Sequence, residues 1–338
     1  MIHFAIVGCG HIAYKHAEAI REIDSAQISA VCDTNPATLD KFVELTGARG
    51  YLNLEEMLGS EPDVDVVCIC TPSGLHARLA VTIARAGKHL IIEKPLALTL
   101  EDADRIQEAA KAAGVKAAVV HPNRYRPAIL RLKQALERGA FGKLSHVNAT
   151  VRWNRGQAYY DQAPWRGTQA MDGGVLMNQA IHSLDLLQWL FGEVEQIKAM
   201  VDTRVRRIEA EDVAVATLRF EDGTLGLVEA ATTVYEKNLE ETISVFGEDG
   251  YAVIGGVTAN WIKHWKSASM SDPDIAALIE EIENDPYGQP GHRHIIEDMI
   301  GAIRDDREPA VTVEDGRRAV KLVLDIVNEG QLTGLQTI

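Results

Sequence analysis

Short apolar runs alternate with longer amphipathic stretches over the first 120 residues of the chain. The apolar runs are Ile2–Val7, Ile28–Cys32, Val64–Cys70, His89–Glu93 and Val115–Val120. They are continuously apolar, as strands are when helices cover both faces of a parallel sheet, and the stretches between them are long enough for helices. The pattern therefore predicts βαβ units and an N-terminal α/β domain over residues 1–121.

Helix start and stop signals support this division into strands and helices. Asn35-Pro36 is a typical helix start, and Thr99-Leu-Glu-Asp102 resembles a capping box ahead of a long alanine-rich stretch. Gly114 follows that stretch at the position where glycine commonly ends a helix. The helices are therefore expected to begin near Pro36 and Leu100.

After His121 the pattern changes to that of an α+β domain, predicted over residues 122–338. The predicted elements are, in chain order, a helix at 127–138, a strand at 146–153, a polar aromatic loop to 174, a helix to 191, strands at 194–203, 212–220, 224–233 and 242–246, and helices at 292–304 and 314–328. Turns such as Glu221-Asp-Gly223 are typical of hairpins. We expect an open, mostly antiparallel sheet, with the terminal helices free to pack back on the first domain.

An open antiparallel sheet leaves one face to be covered. A second subunit is the simplest cover, so the sequence predicts a homo-oligomer, either a dimer or a tetramer.

Composition narrows the class of partner. With 46% hydrophobic and 25% charged residues, the 338-residue chain has the balance of a globular protein of about two domains. Its 34 basic and 49 acidic residues give a net charge of -15, which disfavours nucleic acid and anionic membrane surfaces. No apolar run is long enough to span a bilayer, and we expect the first residues, Ile2–Val7, to form a buried strand rather than a targeting segment. A small-molecule partner is therefore favoured.

The cysteines point to a reducing compartment. Cys9, Cys32, Cys68 and Cys70 lie in or beside strand-like runs, and none has the spacing of a zinc ribbon or a redox motif. The sequence thus predicts buried, reduced thiols in a cytoplasmic protein.

A glycine-rich turn follows the first strand and opens a helix. It is Gly8-Cys-Gly10-His-Ile-Ala13, and Asp33 ends the second strand twenty residues after Ala13. In this context the turn predicts a dinucleotide site, because glycines let backbone amides approach a pyrophosphate at the helix N-terminus. An aspartate there accepts hydrogen bonds from both ribose hydroxyls and repels a 2′-phosphate, which favours NAD over NADP.

Four further motifs give the chain a family resemblance. They are Thr71-Pro-Ser-Gly-Leu-His76, Glu93-Lys-Pro95, Asp172-Gly-Gly174 with His182 eight residues later, and a late Pro-Ala-Val segment before the last helix. Together with the glycine turn they resemble the Gfo/Idh/MocA family of sugar and polyol dehydrogenases over nearly the whole chain. The resemblance implies that Lys94 and His182 meet over the nicotinamide. It also implies a loop at Trp165 and Arg166 that closes over the cofactor.

The turn and the resemblance together give the expected cofactor-binding set: Gly8, Gly10, His11, Ile12, Asp33, Thr71, Pro72, His76, Glu93, Lys94, Trp165 and Arg166.

Alcohol oxidation explains what these residues would do. A proton must leave oxygen while a hydride leaves carbon, so a base must stand beside the hydroxyl. Lys94 follows a parallel strand at the sheet edge where ligands bind, and Asn178 and His182 are four residues apart on one helix. Many family members carry an aspartate where Asn178 stands. Asparagine can only hydrogen-bond the histidine, so more of the catalytic role would fall on Lys94.

The segment between Asn123 and His182 is similar to the branch of the family that oxidises a UDP-linked N-acetylglucosaminuronic acid at its 3-position, for surface polysaccharide synthesis. Some members of that branch re-oxidise bound NADH with a 2-oxo acid such as 2-oxoglutarate. Such a substrate needs local cations, and the candidates are Arg124, Arg155, Arg166 and the segment Arg204-Val-Arg-Arg207. The expected substrate-binding set is Lys94, Arg124, Arg155, Tyr159, Tyr160, Asn178, His182 and His294.

Three alternatives remain open from the sequence. The enzyme could act on a free polyol such as inositol or on another unactivated sugar, and a non-catalytic NAD-binding regulator could share the fold. A metal site is the third, but His121, His182, His292 and His294 lack ligand-pair spacing, so none is predicted. A contact with substrate is the expected role of the His292 and His294 pair.

Overall fold

A computed structural model gives the structure of the protein and describes residues 1–334. The end of the predicted second domain, residues 335–338, lies outside the described residues. The chain divides into two compact units. The first comprises Met1–Pro122 and Pro290–Arg317, and the second comprises Asn123–Gln289 and the chain from Arg318 onward. A segment of the predicted second domain, Pro290–Arg317, thus groups with the first unit.

A six-stranded parallel sheet with the order β3-β2-β1-β4-β5-β6 forms the centre of the first unit. Its strands are β1 (Ile2–Val7), β2 (Ala26–Cys32), β3 (Arg49–Tyr51), β4 (Val66–Ile69), β5 (His89–Ile92) and β6 (Ala117–Val119). Its helices up to residue 122 are α1 (His11–Arg21), α2 (Pro36–Thr46), α3 (Leu54–Ser60), α4 (His76–Arg85) and α5 (Leu100–Ala113). This strand order is that of a doubly wound dinucleotide-binding fold, so the predicted fold class is confirmed.

The predicted helix punctuation is also confirmed. The Asn35 side chain accepts hydrogen bonds from the Ala37 and Thr38 amides at the start of α2. Thr99 accepts from the Asp102 amide at the start of α5, and Gly114 ends that helix in the left-handed conformation at φ 66°. The edge strand β3 was not predicted, because its three residues form no apolar run.

The second unit is built on a seven-stranded sheet with the order β13-β12-β11-β7-β10-β9-β8. Its helices up to residue 289 are α6 (Pro127–Glu137), α7 (Gln157–Tyr160), α8 (Ile181–Phe191) and α9 (Asp272–Asn284). Its strands are β7 (Leu144–Arg152), β8 (Val194–Asp202), β9 (Val213–Phe220), β10 (Leu225–Ala231), β11 (Glu240–Gly247), β12 (Gly250–Gly255) and β13 (Trp261–Ser267). Only the pair β7 and β10 is parallel, so the mostly antiparallel sheet is confirmed.

Four elements of the second unit had not been predicted, namely α7, β12, β13 and α9, and α7 lies where the sequence predicted a loop. A π-helical turn, Leu176–Ala180, leads directly into α8, where the sequence predicted regular helix. The chain closes with α10 (Gly291–Arg304) and α11 (Val313–Gly334), near their predicted positions. The division between the two units falls within α11, between Arg317 and Arg318.

The four cysteines are free and buried, as predicted. Burial raises the pKa of Cys9 to about 12, so this thiol stays protonated and unreactive. Within residues 1–334, no helix combines the length and the apolar character that crossing a membrane requires.

Candidate active site

The glycine turn lies between β1 and α1, against the end of β4. Gly8 has a φ of +88°, and a Cβ there would lie 2.8 Å from the Cys70 carbonyl carbon and the Thr71 nitrogen. Both the backbone conformation and the lack of space therefore require glycine. The Gly8 amide donates to the Cys32 carbonyl at 2.8 Å, which joins the turn to the end of β2.

The start of α1 suits a pyrophosphate. Gly10 is its N-cap, and a Cβ at Gly10 would meet no described atom within 4 Å. No side chain of the described residues caps this helix, so its first amides stay directed toward an incoming ligand. Glycine at this position leaves the room that a phosphate needs, and the helix dipole favours an anion.

The Asp33 carboxylate follows β2 and is held by two backbone amides. Cys9 donates to its Oδ2 and Asn35 donates to its Oδ1, both at 2.8 Å. A carboxylate has about four acceptor positions, so two remain for ribose hydroxyls. The first unit therefore has the parts that NAD requires: a phosphate-accepting helix start and an acidic ribose acceptor.

Lys94 follows β5, next to the buried Glu93 carboxylate. Glu93 Oε1 lies 2.8 Å from His16 Nε2 and 3.2 Å from His292 Nε2. Its Oε2 accepts from the backbone amide of Lys94 at 3.2 Å. His292 was expected to contact substrate; its ring is buried and bonded to Glu93, and a contact with substrate stays a prediction.

His76 holds the other side of the same segment. Its Nδ1 lies 2.8 Å from the Pro95 carbonyl and its Nε2 lies 3.0 Å from the Thr71 carbonyl. Burial lowers the pKa of His76, so the ring is neutral and donates to one carbonyl at a time. His76 joins the loops after β4 and β5, while its predicted contact with the cofactor stays a prediction.

One group of described residues has the composition of a metal site, and it is the same trio: His16, Glu93 and His292. Sequence reasoning overlooked the trio because its members are far apart in the chain. The other three histidines considered from the sequence, His121, His182 and His294, do not belong to it.

In the second unit, two carboxylates hold the start of the helix that carries His182. The buried Asp172 accepts from the Gly167 amide at 2.7 Å and from the side-chain amide of Asn178. Glu211 accepts from the Leu176 amide at 3.0 Å. Burial raises the pKa of Glu211, which lies beside the helix start at Gly174.

Asp172 bears on the predicted role of Asn178. Many family members carry an aspartate at the position of Asn178. In this chain the side-chain amide of Asn178 donates to the Asp172 carboxylate, so a carboxylate still lies beside this position. Asn178 lies in the π-helical turn and His182 is the second residue of α8. Sequence reasoning singled out Asp172 only as part of a motif and missed Glu211. The roles of Asn178 and His182 stay predictions.

A cluster of arginines and aromatic rings occupies the loop after β7. The Arg155 guanidinium carbon lies 5.1 Å from the Trp153 ring centre and 5.4 Å from that of Tyr159. Arg166 lies 4.3 Å from the Tyr159 ring centre and 4.6 Å from that of Trp165. Its Nη1 donates to the Tyr159 hydroxyl at 2.5 Å. We call these five residues the arginine–aromatic cluster.

Neither arginine of this cluster is paired with a carboxylate among the described residues. Arg155 donates to the Asn154 carbonyl at 2.7 Å and to Asn238 at 3.2 Å, and both acceptors are uncharged. Arg166 Nε is buried with no hydrogen-bond partner among the described residues. A buried donor without a partner is costly, and a bound anion would satisfy it.

The other predicted substrate-binding residues have internal contacts. Arg124 forms a buried, two-bonded ion pair with Asp185, at 2.8 and 2.6 Å. The Tyr160 hydroxyl bonds to Thr232 at 3.2 Å. His294 is the fourth residue of α10 and lies in the first unit. Their contacts with substrate stay predictions.

The basic segment Arg204–Arg207 is folded around one acidic residue. Asp212 accepts from the backbone amides of Arg204, Val205 and Arg206 at 2.7 to 2.8 Å. Arg204 also pairs with Asp202 at the surface. Of the three arginines, Arg204 thus has a carboxylate partner, whereas Arg206 donates to the uncharged Thr232 carbonyl at 3.1 Å.

Both units match models of one family. Residues 2–121 match the oxidoreductase family with an NAD-binding Rossmann fold, and residues 129–253 match the GFO/IDH/MocA C-terminal domain.

Solved structures agree with this assignment. The WlbA dehydrogenase from Bordetella pertussis, in complex with NADH and UDP-GlcNAcA, is 39% identical, with a TM-score of 0.90 over 98% of this chain and 95% of that one. The WlbA enzyme from Chromobacterium violaceum, with the same two ligands, is 37% identical, with a TM-score of 0.92 over 98% and 94%. Myo-inositol 2-dehydrogenase from Thermotoga maritima is 29% identical over 95% of this chain and 94% of its own length. The chain belongs to the Gfo/Idh/MocA family of NAD-dependent oxidoreductases.

Proposed function

We propose that this protein oxidises the 3-hydroxyl of a UDP-linked N-acetylated glucuronic acid to a ketone. The observation that carries the proposal is the arginine–aromatic cluster, in which Arg155 and Arg166 stack on aromatic rings and have no carboxylate partner among the described residues. In a chain of net charge -15, two such cations favour an anionic ligand. A uracil base, two phosphates and a uronate offer both the stacking and the charge. The two WlbA relatives, solved with UDP-GlcNAcA, support the same substrate class.

The chemistry divides between carbon and oxygen. NAD, when bound, accepts the hydride that leaves the carbon. The family resemblance assigns the hydroxyl proton to Lys94 and His182. Asp33 would hold the ribose hydroxyls through the acceptor positions that Cys9 and Asn35 leave open. Asn178, held by Asp172, would hydrogen-bond the substrate or the histidine.

A free polyol such as myo-inositol is the second candidate substrate. The relative from Thermotoga maritima, aligned over almost its whole length, favours it. A polyol carries no charge, however, and would leave the two stacked arginines without a counter-charge.

The assay that tests the proposal is single-turnover reduction of NAD. Enzyme, NAD and UDP-GlcNAcA are mixed in equal amounts, and NADH absorbance and the mass of the sugar nucleotide are followed. We expect NADH to form together with a product that has lost two hydrogen atoms. Matched reactions with UDP-GlcNAc, which lacks the carboxylate, and with myo-inositol serve as controls. Reduction by myo-inositol alone would contradict the proposal, and no reduction by any sugar would favour a non-catalytic regulator.

Recycling of NADH belongs to the same proposal. A 2-oxo acid such as 2-oxoglutarate would re-oxidise the bound NADH, and the ketone product would enter surface polysaccharide synthesis in the cytoplasm. Adding 2-oxoglutarate after a single turnover should remove the NADH absorbance and produce a 2-hydroxy acid.

We further propose that a second copy of the chain covers the exposed face of the seven-stranded sheet. Met200 and Val215 are paired neighbours on this face and are 69% and 45% exposed. Leu225 and Leu227 on β10 are 47% and 46% exposed. Four exposed apolar side chains on one face of a sheet favour a subunit interface there. Light scattering should give the mass of a dimer or a tetramer, and Leu227→Glu should reduce it.

A further inference from the structure

Two buried histidines, His16 and His292, contact the buried carboxylate of Glu93, the residue before Lys94. The side chains of His16, Glu93 and His292 are 1%, 6% and 9% exposed. The two imidazole rings pack edge to face, with centres 5.1 Å apart. His16 comes from α1, Glu93 follows β5 and His292 comes from α10, all within the first unit. The carboxylate therefore joins three elements at one point.

Hydrogen bonds within the trio oppose the effect of burial on the charged forms of Glu93 and His16. Burial alone would raise the pKa of Glu93, but hydrogen bonds from His16 and His292 hold it well below its usual range. For His16 the directions are reversed. Burial alone would lower its pKa, but hydrogen bonds to Cys68 and Glu93 raise it to about 10. Burial lowers the pKa of His292. These directions favour a Glu93 carboxylate beside a protonated His16 and a neutral His292, an arrangement that would satisfy the buried charges without a further ion.

The geometry fits hydrogen bonds better than a metal. Both Nε2 atoms approach the same oxygen, at 2.8 and 3.2 Å, which is the range of N–H···O bonds. A divalent cation between one carboxylate and two neutral imidazoles would leave a net positive charge in a buried place. Structural zinc sites also take four ligands, and the described residues bring three together.

The trio bears directly on the backbone of Lys94. While Oε1 of Glu93 is held by the two histidines, Oε2 accepts from the Lys94 amide at 3.2 Å. On the other side of Lys94, the Pro95 carbonyl contacts His76 at 2.8 Å. Both neighbours of Lys94 are therefore fixed by buried histidines, and α1, which contributes His16, also carries the Gly10 turn.

We propose that His16 and His292 are positioning residues that fix Lys94 through the carboxylate of Glu93. The proposal rests on the role of Lys94 in proton transfer given above. Small displacements of a reacting group lower the rate strongly, so loss of one histidine donor should act on turnover rather than on cofactor binding.

The first test compares His292→Leu with His292→Gln. Glutamine replaces Nε2 with an amide donor, whereas leucine keeps the bulk and removes the donor. We expect the leucine variant to lose about 10-fold or more in kcat, with KM for NAD and sugar changed less than about 2-fold, and the glutamine variant to recover most of the loss. If the two variants lose kcat to the same extent, and both also lose NADH affinity and Tm, the role of His292 is purely structural and the proposal is overturned. If the leucine variant does not fold, the same pair of substitutions at His16 gives the comparison.

The second test adds His292→Leu to Lys94→Met. If His292 acts through Lys94, the double variant should turn over as slowly as Lys94→Met alone in single-turnover assays. A further loss of the same factor that His292→Leu causes in the wild-type background would overturn the proposal. If Lys94→Met turns over like the wild type, the proton-transfer role itself is wrong and the positioning role falls with it.

Elemental analysis separates the trio from a metal site. The purified wild-type enzyme should contain no stoichiometric zinc. One zinc per chain that is lost in His292→Leu, with activity restored by added zinc, would overturn the proposal.

Discussion

The two units differ in whether their basic side chains have a counter-charge within the protein. In the first unit the His16 and His292 rings both meet the Glu93 carboxylate, so the charge is balanced within the protein. In the second unit Arg155 and Arg166 stack on aromatic rings with no carboxylate partner among the described residues. Basic groups with an internal counter-charge fix the backbone, whereas basic groups without one are available to a ligand. The comparison thus separates positioning groups from binding groups.

Arg124 lies in the second unit but, like the histidines of the first unit, is buried and bonded to a carboxylate. The comparison therefore predicts that Arg124 positions the backbone and does not bind a ligand. Its guanidinium and Asp185 are 6% and 2% exposed and form two hydrogen bonds. Arg124→Met should lower the free energy of unfolding by about 3 to 5 kcal/mol, since it leaves Asp185 buried without a partner. Urea unfolding followed by circular dichroism measures this loss. Unchanged stability together with a raised KM for the sugar would place Arg124 among the binding groups instead.

Lys94→Met tests the catalytic role assigned to the first unit. Turnover should fall by at least about 100-fold, the usual contribution of a general acid–base group. NADH affinity, measured by fluorescence titration, should stay near the wild-type value because the Gly10 turn and Asp33 are untouched. Turnover at the wild-type rate would remove Lys94 from the mechanism.

Arg166→Gln tests the binding role assigned to the second unit. A hydrogen bond to a charged group contributes about 1.5 to 3 kcal/mol, so kcat/KM for UDP-GlcNAcA should fall by about 10- to 100-fold. Glutamine keeps a donor for the Tyr159 hydroxyl, which limits the loss of stability. Arg204→Gln is the matched control, since Arg204 already pairs with Asp202 at the surface. Equal effects of the two substitutions would contradict the distinction between paired and unpaired arginines.

Asp33→Ser should have the smallest effect. Removing the carboxylate takes away the repulsion of a 2′-phosphate, and the preference for NAD over NADP should fall by about 10-fold, which is about 1.4 kcal/mol. Initial rates with each cofactor measure the preference. Unchanged discrimination against NADP would show that Asp33 does not contact the ribose.

The positions of the candidate cofactor residues could be predicted because the rules that place them are local. Gly8, Gly10 and Asp33 follow strands whose apolar runs are plain in the sequence, and the structure places them at the ends of β1 and β2. Lys94 is likewise predicted at the end of β5. Parallel pairing then fixes which strand ends share a sheet edge.

Contacts between distant residues could not be predicted in the same way. Glu93 is 77 residues from His16 and 199 residues from His292, and no periodicity links them. The sequence around a helix histidine, or around a glutamate that follows a strand, does not identify its hydrogen-bond partner, because the partner is set by how the helices pack.

The arginine–aromatic cluster lies between these cases. Its residues are close in sequence and were selected for their chemistry, but the stacking of Arg166 between Tyr159 and Trp165 depends on the path of an irregular loop. Glu211 was missed because it caps a helix from a distant segment, beside a π-helical turn that the sequence did not predict.

The ratio of kcat/KM for UDP-GlcNAcA to that for myo-inositol tests the central claim most directly, when it is measured in the wild type and in Arg166→Gln. We expect the wild type to prefer the nucleotide sugar and Arg166→Gln to lose about 10-fold or more of that preference. A contact of this guanidinium with NAD would affect both substrates alike, whereas a contact with the anionic sugar nucleotide affects only that substrate. A wild type that prefers myo-inositol, or a preference that Arg166→Gln leaves unchanged, would contradict the claim that the unpaired arginines bind a nucleotide-linked uronic acid.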